Sequence, residues 1–318
     1  MKKFAFQFLF FLLPIFIFFY PADLFLSKEL KKSHIKSDEF SVWNDIFAGK
    51  INSGIVIYGS SRAWVHIDPT MITDSLHIPA YNLGIDAHNF WLEYLRHSIL
   101  LEHNAKPKLI IQTLDNSTLS KKETLSNLEQ FLPYMLFNNE IKNATISYEG
   151  FSPIDYDFPL IRYYDRKLAI ITAIKLFIWP KNNPVVRVKG YQGSKESWNS
   201  DFDNAKKEMP FYEVKLDTPS IHLFERYLNE CKAKKIKIIF VYPPEYIEGQ
   251  KFVKNRDEVM ALYTNFSKKY DIPFYDYSND SLSFHKKYFY NSEHLNKTGA
   301  ELLTKDIIKK LKNISLVQ

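Results

Sequence analysis

The chain opens on its longest apolar run. Residues 4–20, FAFQFLFFLLPIFIFFY, carry no charge and hold one Gln and one Pro among apolar side chains. Pro21, Ala22 and Leu24-Phe25-Leu26 extend the run to the ~20 residues that span a bilayer. Lys2 and Lys3 precede it, and no small-x-small cleavage pattern follows, so residues 1–26 read as a retained anchor rather than a cleaved leader. Lys28, Lys31, Lys32 and Lys36 follow, so positive residues flank both ends. Long domains translocate regardless of charge and a very short N-terminus stays in the cytoplasm, which places residues 27–318 outside. Residues 27–50 are polar and Lys-rich and read as a stalk.

From there the pattern alternates between short apolar runs and helical periodicity. Gly54-Ile55-Val56-Ile57-Tyr58 predicts a buried strand ending at Gly59-Ser60-Ser61-Arg62, and Ala80-Tyr81-Asn82-Leu83 a second ending at Gly84. A helix over 87–104 and a third strand, Leu109-Ile110-Ile111-Gln112-Thr113, follow. Thr218-Pro219 opens a helix whose apolar face is Ile221, Phe224, Leu228 and Cys231, which makes the lone cysteine a core residue. Strand four is residues 236–242, a helix covers 254–270, strand five is 273–276, and a last helix covers 298–311. Nearly continuous apolar strands alternating with helices predict a parallel α/β sheet covered on both faces. Residues 115–215 break the rhythm with a helix over 165–179, many aromatics and Gly190-Tyr191-Gln192-Gly193. They read as an insertion at the carboxyl edge of strand three, where such sheets place their ligand crevice. No internal repeat is visible, so residues 51–318 form one α/β domain with that insertion.

Composition narrows the function classes. At 46% hydrophobic and 16% aromatic residues the chain is not disordered, and 26 Phe and 20 Tyr beside nine Gly exclude a fibrous class. One cysteine excludes an intrachain disulfide and a cysteine-rich metal site. The net charge of +6 comes from scattered Lys with no basic stripe interleaved with stacking aromatics, so no nucleic-acid partner is expected. His66, His88 and His97 lack metal-ligand spacing with carboxylates, and no metal or cofactor is expected. The sequons Asn143-Ala144-Thr145 and Asn313-Ile314-Ser315 have meaning only on a glycosylating route.

Candidate chemistry gathers at strand ends. A serine on a sharp strand-to-helix turn is exposed, needs a base within hydrogen-bond reach, and has backbone N–H groups nearby for an oxyanion. Gly59-Ser60-Ser61, Gly84 and His294, in Asn291-Ser292-Glu293-His294-Leu295-Asn296 before the last helix, fit that logic. The blander roles are helix caps for Ser60 and Ser61, a helix-start packing role for His294 and a turn with positive φ for Gly84. These residues, with the terminal N-x-x-H-L-N-x-x-G-A, resemble the SGNH (GDSL-like) hydrolases. With the anchor and Tyr242-Pro243-Pro244-Glu245, the chain looks more narrowly like membrane-anchored SGNH proteins that esterify or acetylate polymers of bacterial cell envelopes. The resemblance covers residues 52–114 and 218–313, and it implies a flavodoxin-like three-layer sandwich with a mostly parallel five-stranded sheet.

Carried over, the resemblance makes Ser61 the nucleophile, His294 its base, and Gly84 an oxyanion donor beside the Ser61 N–H. Two positions depart from the family pattern. Asn291 stands where the family has Asp, so it can orient the imidazole but brings no charge. Glu293 or Asp276 is then the alternative source of charge, or the site runs as a dyad. The third block reads Leu114-Asp115-Asn116, leaving Asn116 as a displaced oxyanion candidate. Arg62 is a candidate for an anionic group or a structural ion pair. The resulting expectation is a serine esterase or acyl/acetyl transferase acting on a cell-surface glycan or polymer, with a membrane protein as possible acyl donor. The alternative is a non-catalytic anchored scaffold.

Overall fold

The computed structural model describes residues 2–34, 39–87, 89–181 and 185–313. His88 and the Ile314-Ser315 part of the second sequon lie outside them. The first helices are α1 (Lys2–Pro14), α2 (Tyr20–Leu30) and α3 (Phe40–Phe47), with a π-helical turn Ile15–Phe19 between α1 and α2. Then follow β1 (Ile55–Tyr58), α4 (Ser61–His66), α5 (Pro69–Leu76), β2 (Ala80–Asn82), α6 (Phe90–His103) and β3 (Leu109–Thr113). After β3 come α7 (Asn139–Thr145), α8 (Ile154–Asp157), α9 (Lys167–Ile178) and α10 (Asp201–Glu208). The chain continues with α11 (Thr218–Ala233), β4 (Lys237–Tyr242) and α12 (Ile247–Phe252). It ends with α13 (Arg256–Tyr270), β5 (Phe274–Asp276) and α14 (Lys297–Lys312).

Two compact units result, residues 45–122 with 187–318, and residues 1–44 with 123–186. The first holds the sheet, in the order β2-β1-β3-β4-β5 with every pair parallel. This is the flavodoxin-like doubly wound order expected above, and it places the ligand crevice at the carboxyl edge where the winding reverses. One face carries Ile55, Ile57, Ile111, Ile239 and Val241 against Ala63, Ile72, Leu303 and Ile307 of α4, α5 and α14. On the other, Phe240 meets Phe224 of α11 at 5.8 Å, which meets Phe90 of α6 at 4.8 Å and Phe266 of α13 at 5.3 Å. Helices on both faces explain why the strands read as apolar runs. Cys231 is buried, and burial pushes its thiol up to about 12. The cap of α11 falls one residue earlier than Thr218, because the Asp217 carboxylate accepts from the Ser220 N–H at 2.9 Å.

In the other unit, Phe6–Leu30 is 25 residues long and, among the described residues, the one helix long and apolar enough to cross a membrane. It runs past the expected anchor boundary. Asp23 is buried, and its carboxylate takes a bidentate pair from Arg162 at 2.6 and 2.7 Å. The segment 27–50 also differs from the expected stalk. Leu30, Phe40, Val42 and Trp43 are buried, and the Trp43 Nε1–H donates to Gln130 Oε1 at 2.8 Å. The lysines dominate the local composition, but the apolar positions between them pack on residues far along the chain. The expected insertion 115–215 is divided as well. Residues 123–186 belong to this unit, while the part from Arg187 returns to the sheet, where Lys189 O accepts from the Asn82 N–H at 2.9 Å.

Candidate active site

The turn after β1 is made by Gly59, whose φ of 141° and close approach exclude a side chain: a Cβ would lie 1.7 Å from Thr113 Oγ1. Ser60 then caps α4, accepting from the Arg62 N–H at 3.2 Å, and donates its own hydroxyl to Asp115 Oδ2 at 2.5 Å. Capping thus falls to Ser60 and leaves the next hydroxyl free for another partner. Ser61 Oγ lies 2.8 Å from His294 Nε2. His294 Nδ1 lies 3.0 Å from Asn291 Oδ1. The three residues expected from the motif are therefore brought into one relay.

The asparagine is held by the backbone. Its Oδ1 also accepts from the N–H groups of His294 at 2.9 Å and Glu293 at 3.1 Å. An oxygen fixed by two donors can face the imidazole only as an acceptor, so His294 carries its proton on Nδ1 and presents a bare Nε2 to Ser61. Burial first, then the Arg62 guanidinium, pulls His294 down to about 4, with Asp115 and Asp201 opposing. Tyr290 stacks on the imidazole at 5.2 Å. Asp276 is not at the imidazole: its carboxylate accepts from the Ser278 N–H at 2.9 Å and hydroxyl at 2.5 Å. Glu293 lines the same cavity, yet the Nδ1 position belongs to Asn291.

Gly84 does not play the expected donor role. Its N–H donates to Asn82 Oδ1 at 2.9 Å and is not directed to Ser61. What glycine permits there is contact, since a Cβ would lie 2.6 Å from Trp64 N and 2.8 Å from Ala63 Cβ on α4. From the same loop it is Ala87, left-handed at φ 54°, that borders the cavity with Ser61. Asn116 is at the site, as expected, with one amide N–H committed to Glu245 Oε1 at 3.0 Å and its oxygen accepting from the Tyr242 hydroxyl at 3.0 Å. Arg62 resolves as a buried ion pair. It donates to Glu245 Oε1 at 2.8 Å and to Pro243 O at 2.5 Å, and it lies over the Tyr242 ring. The Tyr-Pro-Pro-Glu stretch at the end of β4 is thus the seat of the residue next to Ser61.

Sequence reasoning missed two supports. Asp115 fixes Ser60, and only its place after a strand hinted at that. His66, five residues after Ser61 on α4, accepts the Leu295 N–H on Nε2 at 2.9 Å and ties α4 to the His294 loop. The cavity over Ser61 encloses about 400 Å³, bordered by Trp64, Asp86, Lys122, Tyr212 and Tyr290 among others. Among the described residues no group of three His, Cys, Asp or Glu is arranged to hold a metal ion.

No family profile matches the chain, and no curated protein matches it. Two solved structures are similar to it. A GDSL-like lipase from Bacteroides thetaiotaomicron aligns at 12% identity over 81% of this chain and 88% of its own, with a TM-score of 0.36. A candidate acylhydrolase from Bacteroides fragilis aligns at 13% identity over 81% of this chain and 86% of its own, with a TM-score of 0.34. At those scores the fold rests on the strand order observed here and the site on its own distances.

Proposed function

We propose that this protein is an SGNH-type serine esterase or acyl/acetyl transferase working at a cell envelope, with Ser61 as nucleophile and His294 as base. The observation that carries the reading is the relay of 2.8 Å from Ser61 to His294 and 3.0 Å from His294 to Asn291. Ser61 Oγ attacks an ester carbonyl while His294 Nε2 takes its proton, and the imidazolium keeps Nδ1–H on Asn291. The oxyanion meets the Ser61 N–H, which has no acceptor within the first helical turn, and the second N–H of the Asn116 amide. His294 then protonates the departing alkoxide and an acyl-Ser61 ester remains. Water, or an acceptor hydroxyl, deprotonated by His294, attacks that ester and restores Ser61. Hydrolase and transferase differ only in this second attacker.

The reading of a cell-surface glycan or polymer as substrate is supported by a cavity border that mixes the aromatics Trp64, Tyr212 and Tyr290 with Lys122 and Asp86. The length and apolar composition of Phe6–Leu30 support an anchored protein; we place its site outside, where a neighbouring membrane protein could hand over the acyl group. A fluorophosphonate probe on the full chain in detergent tests the reading. Labelling that disappears in Ser61→Ala and His294→Ala is expected. A chain unlabelled across the pH range is a non-catalytic scaffold.

A further inference from the structure

α9, KLAIITAIKLFI, is apolar on every side: Leu168 to Ile171, Ala173-Ile174 and Leu176-Phe177-Ile178 leave only Thr172 and two lysines. A helix apolar all round is normally covered all round. Here Ala169, Ala173 and Leu176 are buried, at the spacing of one face, and α9 packs on α2, with Phe177 edge-on to Phe25 at 5.2 Å. The rest is bare. Leu168 is 73% exposed, Phe177 60% and Ile178 51%, and Ile171 and Ile174 are exposed as well. Single exposed hydrophobic residues are ordinary, but a contiguous patch of this kind marks a contact surface.

Three observations say what covers it. The helix α9 leans on is, among the described residues, the one apolar and long enough to cross a bilayer, so its bare face continues that apolar surface. Exposed Tyr164 and Trp179 bracket α9, and such rings settle at the membrane–water boundary. Lys167 and Lys175 of α9 and Lys181 after it are exposed, on stems long enough to lie along an apolar surface with the charge at the headgroups. At twelve residues α9 is only ~18 Å long, too short to span the bilayer itself. Beside it a groove of about 960 Å³, bordered by Phe19, Phe25, Phe151, Leu160 and Ile174, opens along α2.

We propose that α9 is a second membrane contact: it lies in the lipid at the end of the Phe6–Leu30 helix, and the groove beside it is filled by acyl chains of bilayer lipid. The proposal rests on the anchor reading and not on the esterase reading. The test uses the full chain in vesicles of phosphatidylcholine and phosphatidylglycerol. Single cysteines carry a nitroxide at Ile171, Ile178, Phe11 of the anchor, or Phe284, an exposed position of the sheet-bearing unit. Native Cys231 is buried, its thiol pushed up to about 12, and stays unlabelled. Labels at 171 and 178 are expected to collide with oxygen and to lose collision with a water-soluble nickel chelate, as at 11, while 284 shows the reverse. Nickel access at 171 and 178 with a lipid-like label at 11 overturns the proposal. Exclusion of both reagents there also overturns it, because a protein surface is then the cover. Nickel access at 11 as well removes the anchor and the proposal together. Fluorophosphonate labelling of the Ile171 and Ile178 variants reads the esterase proposal separately.

Discussion

Asn291→Asp tests the chemistry of the relay most directly. In serine proteases the reverse change costs ~10⁴-fold in turnover, chiefly by imposing the wrong imidazole tautomer. Here the tautomer is already correct, because backbone N–H groups pin Asn291 Oδ1 at 2.9 and 3.1 Å. Aspartate accepts the same bonds, so the substitution adds charge and little else. Two unit charges ~4 Å apart at an effective dielectric of ~20 interact by ~4 kcal/mol. An opposite charge at this range typically raises a histidine by ~1–3 pH units. His294 therefore climbs from about 4 toward neutrality. As a stronger base and a steadier imidazolium, it should raise kcat/KM on an activated aryl ester about tenfold at neutral pH, ~1.4 kcal/mol of barrier. The acid limb of the pH profile, near 4 in the parent, should move up with it. The assay is release of nitrophenol from its acetate ester by the full chain across pH 4–9. A rate and an acid limb that both stay put in Asn291→Asp refute the reasoning, since His294 is then not the group that titrates.

Three other substitutions and an N-terminal truncation probe the scaffold. Gly84→Ala drives a methyl into Trp64 N and Ala63 Cβ, so the thermal midpoint should fall by the equivalent of ~1–3 kcal/mol and Ser61 labelling should weaken; an unchanged midpoint refutes the close contact. Asp23→Asn leaves the buried Arg162 charge without its carboxylate, a loss of ~3–5 kcal/mol in chemical denaturation, and a chain begun at residue 27 should aggregate where one begun at residue 20 folds. Glu93 is buried, and burial raises it from 4.5 to about 8. The folded chain thus holds an extra proton, and that stability is present below pH ~4.5 and lost as pH rises through about 8. Melting of Glu93→Gln should therefore be flatter than the parent between pH 6 and 9, and parallel curves would sink the idea.

Much of the sheet was legible because the strands at its centre are buried on both faces and so are largely apolar along their length, as in Ile55–Tyr58 and Leu109–Thr113. Polar segments misled where the decisive partner is remote. Residues 27–34 look like a lysine-rich stalk until Arg162 and Tyr163 arrive in three dimensions, where Ser27 Oγ meets the Tyr163 hydroxyl at 2.8 Å. No local period encodes that meeting. The apolar helix likewise runs to Leu30, past the expected boundary at residue 26, and Asp23 within it is one half of a buried ion pair with Arg162.

The site divides along the same line. That Ser61, His294 and Asn291 lie together was legible because short-range geometry favours it: a turn after a strand exposes the serine, and an asparagine three residues before a histidine can reach its ring. Gly84 was found for the wrong reason, because the direction of one N–H depends on Asn82, whose Nδ2 also donates to Ala63 O and Ile67 O at 2.8 Å and staples β2 to α4. Arg62 shows how far such remote terms reach. Held by Glu245, it places a fixed cation near His294 and helps keep the imidazole neutral. The absence of a carboxylate at 291 acts in the same direction. Both leave Nε2 bare at neutral pH and facing the Ser61 hydroxyl, at the expense of base strength, and a carboxylate at position 291 would supply the opposing charge.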